Sequence, residues 1–365
     1  MKVGVLTYHN AYSYGAQLQA YALQEVVRSL GHEVKIVDYK GEGFEKPAWG
    51  DFRRAVTPSR LVCVLNRRKM KQALAEFAPY QDRTRPYAST DELTQSPPGF
   101  DAYICGSDQI WQPKKLVDGR IVRDEFFLSF AEPSARRIAY APSFGTIPSA
   151  EYMTAVVPHL RRFSALSVRE KSMVDLIRQY AELDVPTVCD PTILLGREGF
   201  DRLLEKDGTG MLQRQGGGVF YFPLSYDLPR DRNVASALKK RFGRLAIVSR
   251  PLRQVFLGAN AIPTPVGWIR MIKDADFALT NSFHGTAFSI LFNKPFLTLS
   301  WKDRTKNGRV RNLLEDLGLG ARFCDSADVS EILRAADQPI DWVEINRRMS
   351  VLRTQSRGFL AKALG

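Results

Sequence analysis

Only four of the 365 residues are cysteine and only four are histidine. Cys63, Cys105, Cys189 and Cys324 stand far apart, so no C-x-x-C metal or redox pair exists. Four scattered thiols also exclude a disulfide-stapled scaffold, and their apolar neighbours predict packed, reduced side chains. Long apolar runs are missing as well. A bilayer-spanning helix needs about 20 apolar residues. The most apolar stretch, Ala287–Leu299, is broken by Asn293-Lys294. Internal repeats, low-complexity tracts and nucleic-acid-binding motifs are absent. Acidic residues are in deficit: 39 Asp+Glu face 52 Lys+Arg, a net charge of +13. That excess favours anionic partners such as phosphorylated substrates or lipid headgroups. Met1–Thr7 reads as a strand and not as an export signal, because its apolar run is short and has no small-residue cleavage site. The expected compartment is the cytoplasm.

What is present is an ordinary globular composition, 44% hydrophobic and 25% charged. At roughly 100–200 residues per domain the length suggests two domains. Val3–Tyr8 reads as a buried strand. Ala16–Leu30 reads as a helix, with Leu23, Val26, Val27 and Leu30 on one face and Gly31 as its stop. Val34–Tyr39 is the next strand, which completes a β-α-β unit and implies a parallel sheet. Further strands are expected at Ala102–Cys105, Arg137–Ala141, Ala165–Val168, Thr187–Cys189, Val219–Phe222, Leu245–Val248, Phe277–Thr280 and Phe296–Ser300. Helical stretches separate most of them, so the fold class is α/β throughout. The boundaries expected are 1–165 and 166–340, with a helical tail at 341–365 that crosses back to the first domain.

One segment breaks the rhythm. Asp51–Arg85 holds nine Lys/Arg and three Asp/Glu. Leu61, Val62, Leu65, Leu74 and Phe77 interleave with the charges, a pattern that suits the surface of an anionic membrane.

Five loops follow strand ends, where open parallel sheets bind ligands. Tyr8-His9-Asn10 through Tyr14 offers groups that stack on and hydrogen-bond a sugar. Gly106-Ser107-Asp108-Gln109-Ile110-Trp111 opens with a glycine that permits close backbone approach. In it Asp108 is a candidate base and Trp111 a candidate sugar platform. Arg169 stands at a strand end, where a guanidinium suits a carboxylate or phosphate. Asn281-Ser282-Phe283-His284-Gly285-Thr286 passes from strand to helix. There Gly285 and Thr286 are expected to present N–H groups to an anion, and His284 to bind phosphate or donate a proton. Trp301–Arg311 places five cations in eleven residues.

Together these residues resemble the polysaccharide pyruvyl transferase family. The likeness runs from Thr7 to Leu319. It rests on T-Y-H-N-A-Y-S-Y-G-A-Q-L-Q-A (Thr7–Ala20), G-S-D-Q-I-W (106–111), A-P-S-F-G (141–145), S-V-R-E (167–170), D-P-T-I-L-L (190–195), N-S-F-H-G-T (281–286), and N-x-R with L-L-x-x-L-G-L (307–319). The resemblance implies two Rossmann-like domains, similar to GT-B glycosyltransferases. It implies transfer of a pyruvyl group from phosphoenolpyruvate to two hydroxyls of a sugar in a bacterial surface-glycan or lipid-linked precursor, with release of phosphate. No metal or further cofactor is implied. By the same resemblance His284 is a donor-site residue and the expected general acid; Asp108, from its place in the first domain, is the second expected catalytic residue. Arg169, Asn281, Ser282, Gly285, Thr286, Asn307 and Arg309 would bind the donor. From their location in the first domain, Tyr8, Asn10, Tyr14, Gln109 and Trp111 are expected to bind the acceptor. Some members carry Arg two residues before the His; here that position is Ser282. The missing contact must come from Arg250, Lys302, Arg304 or Arg309. The competing reading is a GT-B glycosyltransferase that uses a nucleotide-sugar. The expected partners are phosphoenolpyruvate, a sugar acceptor and the inner face of a membrane, and no nucleic acid.

Overall fold

A computed structural model describes residues 1–41, 58–113, 119–208, 217–224, 228–248 and 260–365. The chain forms two compact units. The first comprises Met1–Lys46, Pro79–Leu195 and Met349–Gly365; the second comprises Pro47–Ala78 and Gly196–Arg348.

In the first unit six strands form one sheet: β1 (Lys2–Leu6), β2 (Glu33–Tyr39), β3 (Arg83–Tyr87), β4 (Ala102–Cys105), β5 (Arg136–Ala139) and β6 (Ala165–Leu166). Their order is β3-β2-β1-β4-β5-β6, and every pairing is parallel. Val3, Val5 and Leu6 of β1 are fully buried, as a two-sided parallel sheet requires. The first helix, Tyr14–Ser29, starts where Ser13 accepts from the Ala16 N–H, and Leu23, Val26 and Val27 face the core. Gly31 follows in the left-handed region at φ 89°.

The second unit repeats the plan with β7 (Val219–Phe222), β8 (Leu245–Val248), β9 (Asn260–Ala261), β10 (Phe277–Thr280), β11 (Phe296–Leu299) and β12 (Phe323–Cys324). The order β12-β11-β10-β7-β8-β9 is the first sheet's order seen from the other side, again parallel. In each sheet the connections leave in opposite directions from one strand pair, β1/β4 and β7/β10. Loops diverge there and leave room for a ligand.

The expected strands are present, with one exception and three additions. Thr187–Cys189 makes only an isolated bridge, Thr187 to Val168. β3 has no apolar run; it is an edge strand, where Pro86 is tolerated. β9 and β12 are two residues each, too short for a periodic signal. The expected boundary at 165/166 also differs from the division between the units, which falls at Leu195/Gly196. β6 pairs with β5, so the loop after it closes the first sheet and does not open a second one. Gly196, at φ 74°, breaks the helical path of Pro191–Lys206 at that point. The last helix is Trp342–Leu364, and its part from Met349 onward belongs to the first unit. Its Ser356 hydroxyl accepts from the Cys189 N–H at 2.9 Å, and Arg136 donates to the Leu364 carbonyl at 2.7 Å.

The helix Pro58–Ala75 carries the basic segment. Met70, Ala73 and Leu74 are buried, while Arg68, Lys69 and Lys71 are exposed and Leu65 is 45% exposed. The side chains of Leu61 and Val62 lie outside the described residues. Among the described residues no helix is long and apolar enough to cross a membrane. Cys105, Cys189 and Cys324 are buried thiols, and burial pushes Cys189 and Cys324 up to about 12.

Candidate active site

At the β1/β4 switch point two loops are stitched together by the first helix. Gln19 donates to the Thr7 hydroxyl at 2.8 Å and accepts from the Ser107 N–H at 3.2 Å. Thr7 in turn donates to the Ser107 carbonyl at 3.1 Å. The backbone beyond β4 is tightly folded. Gly106 has φ 115°, and a Cβ there would lie 2.1 Å from the Tyr140 carbonyl oxygen. Asp108 at φ 69° and Ala141 at φ 51° also occupy the left-handed region. Such conformations persist only where the surroundings enforce them, and they gather at functional sites.

His9 is fully buried, with Nε2 2.8 Å from Asp38 Oδ1 and Nδ1 3.1 Å from the Thr7 carbonyl. Burial alone would raise the Asp38 carboxyl, but His9 and Lys40 outweigh it and bring it to about 2. Asn10 is held at both ends of its amide, donating to Asp38 at 3.0 Å and accepting from Arg83 at 3.2 Å. These two bonds hold Asn10 as a strut of the loop. Tyr8 is half-buried, and its hydroxyl accepts from Arg123 at 2.9 Å. Burial raises this phenol to about 12; Arg123 opposes the shift and Asp108 adds to it. Arg123 is 2% exposed, pairs with Glu125 at 3.1 Å and lies over the Phe126 ring at 4.3 Å. Sequence reasoning missed it, because an Arg among loop residues gives no local sign of burial.

Two expected acceptor contacts belong to the core. Trp111 is 1% exposed, stacks on Phe127 with centroids 4.9 Å apart, and donates from Nε1 to the Phe126 carbonyl. Tyr14 is also 1% exposed, and burial raises its phenol well above the ordinary value. Both rings fill space under the loops and cannot serve as an open sugar platform. Gln109 is half-buried, its amide packed against Gly145.

Arg169 sits at the end of β6, in this first unit. Its Nη1 donates to Asp190 at 2.8 Å, its Nε faces Glu170 at 3.4 Å, and Nη2 is 3.8 Å from Asp108. Burial disfavours the charged guanidinium, but Glu170, Asp190 and Asp108 prevail and hold it above its ordinary value. The residues expected to bind the donor therefore divide: Arg169 belongs to the first unit, the others to the second.

In the second unit the β10 loop leads into the helix Phe283–Leu291. Ser282 caps it, accepting from the Gly285 N–H at 3.3 Å. The Thr286 N–H bonds the Ser282 carbonyl at 3.0 Å, and the Thr286 hydroxyl lies 2.8 Å from that of Thr298. The amides of Gly285 and Thr286, expected to meet an anion, are thus engaged within the turn. Gly285 has a different reason to be glycine: a Cβ there would lie 2.5 Å from Thr280 Oγ1. His284 is 7% exposed and meets the Phe283 ring edge-on at 5.2 Å. Asn281 accepts from the Leu224 N–H with its side chain and from Trp301 Nε1 with its carbonyl, both at 2.6 Å. Asn307 accepts from the Trp301 N–H at 2.9 Å. Asn281 thereby fastens the cation-rich loop to the loop of His284, and Asn307 braces the cation-rich loop internally. Lys302 and Arg304 are exposed and Arg309 is half-buried. Arg250 lies outside the described residues. Among the described residues no group of three or more His, Cys, Asp or Glu is placed to hold a metal ion.

A solved structure shares this architecture. The UDP-GlcNAc 2-epimerase of Neisseria meningitidis is 8% identical, with a TM-score of 0.50 over 100% of this chain and 99% of that one. A glycosyltransferase of Streptomyces sp. SF2575 is 13% identical, with a TM-score of 0.44 over 97% of this chain and 96% of that one. At such identities the likeness is one of fold. No curated protein matches the sequence. The model of the polysaccharide pyruvyl transferase family matches residues 14–303, a span that takes in Ser107–Gln109, Arg169 and Asn281–Thr286. The chain belongs to the polysaccharide pyruvyl transferase family.

Proposed function

We propose that the chain moves the pyruvyl group of phosphoenolpyruvate onto two hydroxyls of a sugar, forming a cyclic ketal and releasing phosphate. The family match over residues 14–303 carries this reading. In the reaction the enol methylene takes a proton, and a sugar hydroxyl adds to the resulting cationic carbon. Phosphate then departs and the second hydroxyl closes the ring. The two hydroxyl protons balance the proton delivered to carbon and the one taken up with phosphate. His284, at a helix start beside a loop rich in Lys and Arg, suits the acid or a phosphate ligand. Lys302, Arg304 and Arg309 are the cations for the donor's charges. Asp108, 16% exposed at its side chain, suits the acceptor hydroxyl, with Gln109 next to it and Tyr8 at the end of the neighbouring strand β1. The acceptor would be a bacterial surface-glycan precursor, met at the cytoplasmic face of the membrane.

Thermal shift with phosphoenolpyruvate and a panel of nucleotide-sugars tests the donor. A ligand at 100 times its Kd adds about 2.7 kcal/mol, an easily read shift. Stabilisation by phosphoenolpyruvate, with its turnover lost in a folded His284→Ala protein, is the expected result. Stabilisation by a nucleotide-sugar alone would overturn the reading in favour of a glycosyltransferase.

A further inference from the structure

The D-P-T motif at 190–192 lies outside the roles assigned so far. Asp190 is 1% exposed, and its two carboxylate oxygens do different work. Oδ1 accepts from the Thr192 N–H at 3.0 Å and from the Thr192 hydroxyl at 2.8 Å. The Asp190 carbonyl receives the N–H groups of Ile193 and Leu194 at 2.9 and 3.0 Å. One oxygen therefore caps the helix that begins at Pro191. Oδ2 faces the other way. It accepts from Arg169 Nη1 at 2.8 Å and lies 3.3 Å from the Ser107 hydroxyl. Ser107 precedes Asp108, and Arg169 Nη2 is 3.8 Å from Asp108 Oδ1. A rigid helix start, the guanidinium at the end of β6 and the loop at the end of β4 thus meet at one buried oxygen.

We infer that Asp190 is a positioning residue of the reaction, acting through Arg169. Its capped helix gives Oδ2 a fixed place, and the charge-assisted bond fixes the guanidinium relative to Asp108. Without it, Glu170, whose Oε1 is 3.4 Å from Arg169 Nε, would draw the guanidinium toward itself. The kinetic part of this inference rests on the function proposed above; the geometric part does not.

Asp190→Asn separates the two jobs. The amide oxygen keeps the cap, while the amide N–H groups replace Oδ2 and confront the Arg169 donor. Ser107 can still accept from them. Phosphate release from phosphoenolpyruvate, with a panel of simple hexosides as acceptors, is measured in wild type, Asp190→Asn, Arg169→Gln and the double variant. The expected result is a loss of tenfold or more in kcat/KM for Asp190→Asn alone, and of less than twofold when Arg169 is already Gln. A role confined to folding would give the same loss in both backgrounds, and that result overturns the inference. So does full activity of Asp190→Asn. Should the variant fail to fold, Asp190→Ser keeps a capping hydroxyl and lacks the second oxygen. A crystal structure of the folded variant gives a readout free of the donor. The guanidinium is expected turned away from Ser107, with the helix start intact; an unmoved guanidinium overturns the inference. Wild-type protein that phosphoenolpyruvate does not stabilise in thermal shift would sink the proposed function, and the guanidinium position would still decide the positioning role.

Discussion

Replacing Gly285 with Ala probes how the second switch point is built. A Cβ at 285 would lie 2.5 Å from Thr280 Oγ1 and 3.1 Å from Thr280 Cβ and Cγ2. Thr280 cannot yield cheaply. Its hydroxyl donates to the Phe222 carbonyl at 2.7 Å and accepts from the Ser282 N–H at 3.0 Å, so it ties β10 to β7 and holds the turn before His284. Overpacking of this kind costs about 1–3 kcal/mol. Two weakened buried hydrogen bonds add about 1 kcal/mol each. Alanine recovers up to ~1 kcal/mol of helix propensity. The net expectation is a loss of about 2–4 kcal/mol. At ~2–4 °C per kcal/mol for a unit of this size, the melting transition of the second unit should fall by roughly 5–15 °C. Scanning calorimetry on the full chain measures it. Thr280→Ala, which removes the hydroxyl and the methyl, should at least halve the cost of Gly285→Ala. A shift under about 1 °C in the wild-type background, or the same shift in both backgrounds, would refute the reasoning.

Other expectations follow from single contacts. The Asp38 carboxyl is depressed from 3.8 to about 2 by His9 and Lys40. A depressed carboxylate stabilises the fold above its unfolded pKa and loses that contribution as pH falls, here from about 4 to 2, worth about 2 kcal/mol. Asp38→Asn should flatten that acid limb in urea titrations; an unchanged slope counts against the pair. Arg123→Ala leaves Glu125, 3% exposed, buried without its cation and should cost about 3–5 kcal/mol in chemical denaturation. The Arg123→Met, Glu125→Leu pair should cost less than that single change, and a larger cost would show that the charges themselves stabilise the loop. Reversing Lys69 and Lys71 to Glu should weaken sedimentation with phosphatidylglycerol vesicles at least tenfold at low salt. Equal binding would remove the membrane reading of the helix Pro58–Ala75.

The sequence by itself determined the α/β alternation, the strand-end loops and the family, because these are written locally. A buried parallel strand is a short apolar run, a helix repeats every 3.6 residues, and a motif is a string of neighbours. It also located His284 at a helix start. What the tertiary structure decided depends on which distant segments come together. β3 exists because β2 needs an edge partner, although Arg83–Tyr87 lacks an apolar pattern. Trp111 and Tyr14 look like sugar contacts in a polar string, yet both rings are buried, Trp111 stacked on Phe127. Ser282, Gly285 and Asn307 read as ligand groups, and the fold uses them to cap, to pack and to fasten. Arg169 read as a cation suited to the donor's carboxylate or phosphate. Only the return of the chain at Asp190 shows its carboxylate partner, since charges 21 residues apart become neighbours through the sheet and not through the sequence.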